Sequence, residues 1–184
     1  MTLEFKNFSI LSKQEQVEIL NIRNTNYIRE QMTTNKVIML DNHLKWIKSL
    51  SSKTDCYYFA VLLNLEIVGA VYITDIDKHN NSSYWGLYFT NKTNPLVSTF
   101  STYYLFEYIF TDLEICTLYL EVQTSNKKAL NFDKSLGFKE YNSNNEYTYM
   151  SMTSDKWEAT KNGKLFTILK HKINKINFKI IKGK

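Results

Sequence analysis

The run from Leu118 to Phe138, LYLEVQTSNKKALNFDKSLGF, constrains the fold of this chain more than any other stretch. Leu118 to Val122 has the apolar, β-prone make-up of a buried strand. Gln123, Thr124 and Ser125 form a short polar loop, and Asn126 is a helix N-cap. Ala129 follows one turn in, and Gly137-Phe138 stops the helix where a left-handed residue is wanted. A strand that passes through three residues into a helix lays that helix back on its own sheet, so the chain belongs to the α/β class.

The rest of the chain supplies matching elements. Residues 3–10 alternate as a first strand, and Ser12 with Glu15 forms a capping box for a helix. RNTNYIREQM extends that helix, and Asp41 caps the next, with a Leu44, Ile47, Leu50 stripe. Strands follow at 57–63 and 67–76, joined tightly at Asn64-Leu65-Glu66, then at 84–89. Pro95 suits the first turn of a long helix that runs to about Asp112. Strand five spans 117–122, and 138–141 with 147–152 make a closing hairpin. The order is β-α-α-β-β-β-α-β-α-β-β.

With 184 residues, one Pro and five Gly, the chain has room for one cored domain and little linker. Cys56 and Cys116 lack metal-binding spacing, so no metal is expected and buried free thiols are. Glu4 and Lys6 interrupt the apolar start, and no stretch reaches the ~18 apolar residues of a membrane span. A reducing cytoplasm is the expected compartment. The net charge of +5 is concentrated at the end. Residues 156–184 hold nine Lys against Glu158, a surplus of eight, which leaves 1–155 negative by three. Nucleic-acid binding by the domain is therefore not expected.

The element order, Asn126, Ala129 and Gly137-Phe138 together resemble the GNAT acetyltransferases, acetyl-CoA-dependent N-acetyltransferases. The resemblance implies a mixed, mostly antiparallel sheet over 1–155, flanked by helices and splayed between strands four and five to admit acetyl-CoA. It places cofactor contacts at Tyr88, Phe89, Ser98, Thr99, Asn126 and Lys127. The loop FTNKTNPLVSTFS departs from the family pattern, with Leu96, Val97 and Ser98 where spaced glycines would approach phosphate. Asp133 replaces the family tyrosine that protonates the departing thiolate. A carboxyl there donates a proton at neutral pH only if burial raises its pKa strongly; Tyr88, Tyr103 and Tyr104 are other phenols that could serve.

A finer resemblance covers roughly residues 5–155. Arg23-Asn24, Met32, His43-Leu44 with Trp46, Thr74, the aromatic-Gly-x-Tyr of strand four and Leu120-Glu121-Val122 resemble the amino-sugar N-acetyltransferases of the pseudaminic acid pathway. It implies a UDP-linked 4-amino-4,6-dideoxy sugar as acceptor, with Glu121 as general base. Arg23 and His43 would supply charge to the diphosphate, Trp46 and Met32 a wall for uracil, and Met32, Tyr84, Thr74 and Tyr88 the sugar pocket. Read as residues alone, Arg23 is equally a surface ion-pair partner, His43 a helix-start residue and Asp133 a solvated helix position. Glu121 on an apolar strand is harder to explain as structure.

Other readings stay open: a non-catalytic nucleotide-sugar-binding module that has lost acetyl-CoA, or a protein N-acetyltransferase, with or without homodimerisation. The tail, KLFTILKHKINKINFKIIKGK, interleaves Lys with Leu, Ile and Phe. It reads as a loosely packed extension, as a basic amphipathic helix for an anionic surface, or, at Ile176, Phe178 and Ile180, as a strand.

Overall fold

The computed structural model describes residues 1–183. Eight strands form one sheet: β1 (Thr2–Asn7), β2 (Tyr57–Leu63), β3 (Glu66–Asp77), β4 (Ser82–Phe89), β5 (Thr117–Gln123), β6 (Lys139–Ser143), β7 (Tyr147–Thr153) and β8 (Asn177–Ile181). Their spatial order is β6-β7-β5-β4-β3-β2-β1-β8. Neighbours are antiparallel except β4–β5 and β1–β8. The helices are α1 (Lys13–Arg23), α2 (Asn26–Arg29), α3 (Leu40–Leu50), α4 (Pro95–Glu107), α5 (Lys127–Ser135), α6 (Ser154–Lys161) and α7 (Lys164–Ile173).

Local signals explain most boundaries. Ser12 and Glu15 make both bonds of the capping box at α1. Asn64 and Leu65 take φ of 50° and 76°, and the positive φ lets the β2–β3 turn follow the strand twist. Three expectations need correction. The helix from Ser12 does not run through RNTNYIREQM: it ends at Arg23 and restarts as the four-residue α2. Asn24 lies at that break because its side chain bonds both the N–H and the C=O of Ile38. Asp41 sits inside the first turn of α3 rather than capping it. Cys116 is exposed and Cys56 half-buried, because both precede their strands rather than lie within them.

The two faces of the sheet differ. On one, Phe5, Phe59, Val71, Trp85, Leu118 and Met150 pack beneath residues of α4, α5, α6 and α7. On the other, α1 and α3 cover only part, with Ile19 and Ile47 set against Ala60, Leu62 and Ala70.

The tail is built into the first of these faces and is not loosely packed. Trp157 of α6 is fully buried, and its indole N–H donates to Glu107 at 2.7 Å. Phe178 of β8 stacks on Tyr104 with ring centroids 3.9 Å apart. Lys179 pairs at 2.8 Å with Glu4, a buried carboxylate of β1. The strand expected at Ile176–Ile180 is β8, and the amphipathic helix before it is α7.

Candidate active site

The sheet opens at one place. β4 and β5 run parallel and pair only at Ser82–Thr117, Ser83–Leu118 and Tyr84–Tyr119. Beyond that last rung no β4–β5 pairing continues, although β4 reaches Phe89 and β5 reaches Gln123. The facing backbone amides there are free to bond an extended amide-bearing chain laid between them. α4 begins after the carboxyl end of β4 and α5 after that of β5, the crevice position favoured for ligands in sheets with parallel strands. Tyr88, Phe89, Ser98, Thr99, Asn126 and Lys127 all lie on these strand ends or first helical turns.

The first turn of α4 is not a ready phosphate cradle. Pro95 has no N–H, the Leu96 N–H donates to Asn94 Oδ1 at 2.9 Å, and the Val97 N–H donates to the Asn94 carbonyl at 2.8 Å. Ser98 and Thr99 turn their hydroxyls back to the Pro95 carbonyl. Anion binding here must first displace the Asn94 side chain. At α5, Asn126 Oδ1 accepts from the Ala129 N–H at 3.1 Å, so it serves as the N-cap, and Lys127 beside it is exposed.

The face partly covered by α1 and α3 carries the expected acceptor residues. Tyr84, Gly86 and Tyr88 alternate onto it, opposite the core-facing Trp85. Gly86 makes room for the Tyr72 phenol, which a Cβ there would meet unless Tyr72 moved. Burial pushes the Tyr72 and Tyr88 phenols up, while the nearby Arg23 charge pulls both down. Arg23 Nη2 donates to the Thr34 carbonyl at 3.3 Å, and its buried Nη1 has no partner. Gln123 at the end of β5 holds the Met32 carbonyl at 3.1 Å, which ties the loop after α2 to the cleft. Thr74 pairs in register with Tyr84.

Two expected roles do not fit the placement of their residues. His43 is buried, and its Nε2 lies 3.1 Å from the Gln16 carbonyl, which can only accept. Burial pushes its pKa down, so it is a neutral packing residue rather than a cation for a diphosphate. Trp46 wedges α3 onto the sheet through edge contacts with Phe8 and Tyr58. Of the alternative phenols, Tyr104 donates to the Ile173 carbonyl and Tyr103 packs on Trp157 and Phe166, so both serve the tail.

Glu121 is exposed, not buried, two residues past the last β4–β5 rung and opposite Tyr149 of β7. Its presence on β5 therefore needs no buried partner. Asp133 is the reverse: the expected solvated position is 5% exposed, on the core side of α5 with Leu130 and Leu136. Burial alone pushes its carboxyl up to about 7. Of the row of phenols beyond the cleft, sequence reasoning named only Tyr84. Tyr84, Tyr119, Tyr141 and Tyr149 follow one another at ring spacings of 5.6, 5.9 and 6.4 Å. Alternation along β4, β5 and β7 could have found three of them, but a bulge at Tyr141 hides the fourth. A groove of about 980 Å³ opens at the opposite end of the sheet, lined by Tyr57, Asn81, Tyr108 and Glu114, and contains none of the expected site residues.

Comparison with known proteins bears on this geometry. The family model described as an acetyltransferase (GNAT) domain matches residues 9–152. The acetyltransferase PseH of Campylobacter jejuni is 27% identical over 157 residues, covering 85% of this chain and 98% of PseH. The crystal structure of C. jejuni N-acetyltransferase PseH in complex with acetyl coenzyme A superposes with a TM-score of 0.68 at 26% identity, over 83% of this chain and 99% of that one. FdhC, a nucleotide-linked sugar GNAT in its apo form, superposes with a TM-score of 0.72 over 82% of this chain and 88% of FdhC. At 18% identity that likeness speaks for the fold alone.

Proposed function

The chain belongs to the GNAT acetyltransferases, which take their acetyl group from acetyl-CoA, and from that premise we propose that it acetylates the amine of a nucleotide-linked deoxyamino sugar, of the UDP-4-amino-4,6-dideoxy-hexosamine type. The observation that carries the acceptor class is Arg23. A buried guanidinium nitrogen without a partner, on a face otherwise made of phenols, needs an anion, and a nucleotide diphosphate is one. The phenols of Tyr72, Tyr84 and Tyr88 offer hydrogen bonds to sugar hydroxyls and ring surface to a 6-methyl group. The likeness to PseH supports the same reading.

The reaction is direct transfer. The pantetheine arm enters from the α4/α5 side and lies between β4 and β5, with the acceptor on the opposite face. The neutral amine attacks the thioester carbonyl, the C–S bond breaks, and the CoA thiolate leaves. Glu121, directly or through a water, takes the ammonium proton. Asp133 stands at the family's acid position and holds a proton near neutral pH because it is buried, so we assign it the protonation of the thiolate.

The test is thiol release from acetyl-CoA with a UDP-4-amino-4,6-dideoxy-hexosamine as acceptor. Saturable turnover is expected, with Arg23→Ala raising the acceptor KM about tenfold and leaving the acetyl-CoA KM unchanged. Turnover on peptide amines and none on the sugar nucleotide would replace this reading with a protein N-acetyltransferase. Failure to bind acetyl-CoA with the sugar nucleotide present would leave a binding module.

A further inference from the structure

The lysines from Lys161 to Lys182 divide into two groups. Lys161 bonds Glu107 and Glu158, Lys179 pairs with Glu4, and Lys182 lies 3.8 Å from Asp112. Lys164, Lys170, Lys172 and Lys175 have no acid within ion-pair distance among the described residues. All four lie on α7 or the turn that follows it.

α7 has two apolar surfaces and only one of them is used. Phe166, Leu169 and Ile173 are buried against the core. Ile168 points away and is 68% exposed, with Leu165, 38% exposed, three residues before it. Helical geometry puts Lys164 and Lys172, four residues either side, on the same stripe as Ile168. α7 itself contains no acid. The outward stripe is therefore an apolar centre between free cations.

We propose that α7 docks the protein on an anionic phospholipid surface. Ile168 and Leu165 enter the headgroup layer, and Lys164, Lys172 and Lys175 meet lipid phosphates. Charge complementarity fixes the occupant as anionic. The exposed isoleucine at the centre distinguishes lipid from nucleic acid, since a phosphodiester backbone gains nothing from it and the one ring on the stripe is the small imidazole of His171. Among the described residues no helix is long and apolar enough to cross a membrane, so α7 lies on the surface. It packs over the face opposite Arg23, Tyr72 and Tyr88, so docking leaves the acceptor side open. The inference is independent of the acceptor's identity.

Co-sedimentation of the full chain with phosphatidylglycerol/phosphatidylcholine vesicles tests it, with pure phosphatidylcholine vesicles as control. Binding to the mixed vesicles only is expected, weakening as salt shortens the Debye length from about 10 Å at 0.1 M to about 3 Å at 1 M. Ile168→Asp and the double variant Lys164→Glu/Lys172→Glu should each weaken binding about tenfold or more. Their melting temperatures and thiol-release rates should match wild type, because these side chains are exposed. Absence of binding to phosphatidylglycerol vesicles at low salt would overturn the proposal. Unchanged binding by both variants would do the same, as would binding to a duplex oligonucleotide in place of vesicles.

Discussion

The two faces of the sheet are made of similar residue types and put to opposite uses. On the α4/α5/α6/α7 face the aromatic rings lock on one another: Trp85 on Phe106 at 4.6 Å, Phe106 on Trp157 at 5.1 Å, Trp157 on Phe166 at 5.2 Å. The indole of Trp157 has a partner in Glu107, while the buried Trp85 indole and the Ser101 and Thr102 hydroxyls have none. On the other face the rings are mostly phenols, and helices cover only part of them. Arg23 there keeps a buried nitrogen unpaired, and Tyr84 and Tyr141 stand in solvent. Unpartnered neutral groups occur on both faces; what the open face adds is an unpartnered charged nitrogen, which an anionic ligand would complete. The splay between β4 and β5 connects the two, so a cofactor bound against the packed face can reach an acceptor on the open one.

The sharpest way to break this comparison is to attack each face separately. Trp157→Ala on the packed face should lose about 4 kcal/mol of stability, read by urea unfolding, and lower Tm by about 10 °C. Its acceptor KM, measured on the folded fraction, should not move. A loss below about 1 kcal/mol would mean that the tail only decorates the core. On the open face, Glu121→Gln should leave the unfolding curve within about 0.5 kcal/mol of wild type, because the side chain is exposed. Its kcat at neutral pH should fall about 100-fold with the acetyl-CoA KM unchanged. Unchanged turnover would remove Glu121 from the mechanism.

What the sequence made legible follows the same division. Strands β2 to β5, the Pro95 and Asn126 helix starts and the Gly137 stop were readable because each rests on a local signal: alternation, a cap or a left-handed residue. The tail was ambiguous because α7 and β8 each bury only one side, much of it against partners more than 60 positions away. Tyr104 and Ile173, joined at 2.9 Å, are 69 residues apart. His43 and Asp133 were misjudged for a related reason. A charged residue type on a helix gives no sign of which way it faces until the opposing layer is known, and both proved buried. Glu121 erred the other way, since it stands exposed on the side of β5 away from the buried Leu118 and Leu120.

Asp133 is the one carboxyl that belongs to the packed face yet has a chemical use, and it gives the finest test. Its pKa lies near 7 in the folded protein against an ordinary 3.8, so the folded state holds the proton more tightly than the unfolded one. The stability this contributes is full below about pH 4 and is lost as pH rises through about 7. Wild type should therefore lose stability between those values more steeply than Asp133→Asn. At pH 8 the variant should be the more stable by about 2 kcal/mol, the linkage figure discounted for relaxation around the carboxylate. The same substitution should lower kcat about tenfold at pH 6.5 and remove the fall in kcat expected of wild type above pH 7. A gain in stability with no change in kcat or its pH profile would make Asp133 a buried spectator, and the thiolate would leave without its help. Loss of both would mean that its carboxyl is held by a contact that Asn cannot reproduce.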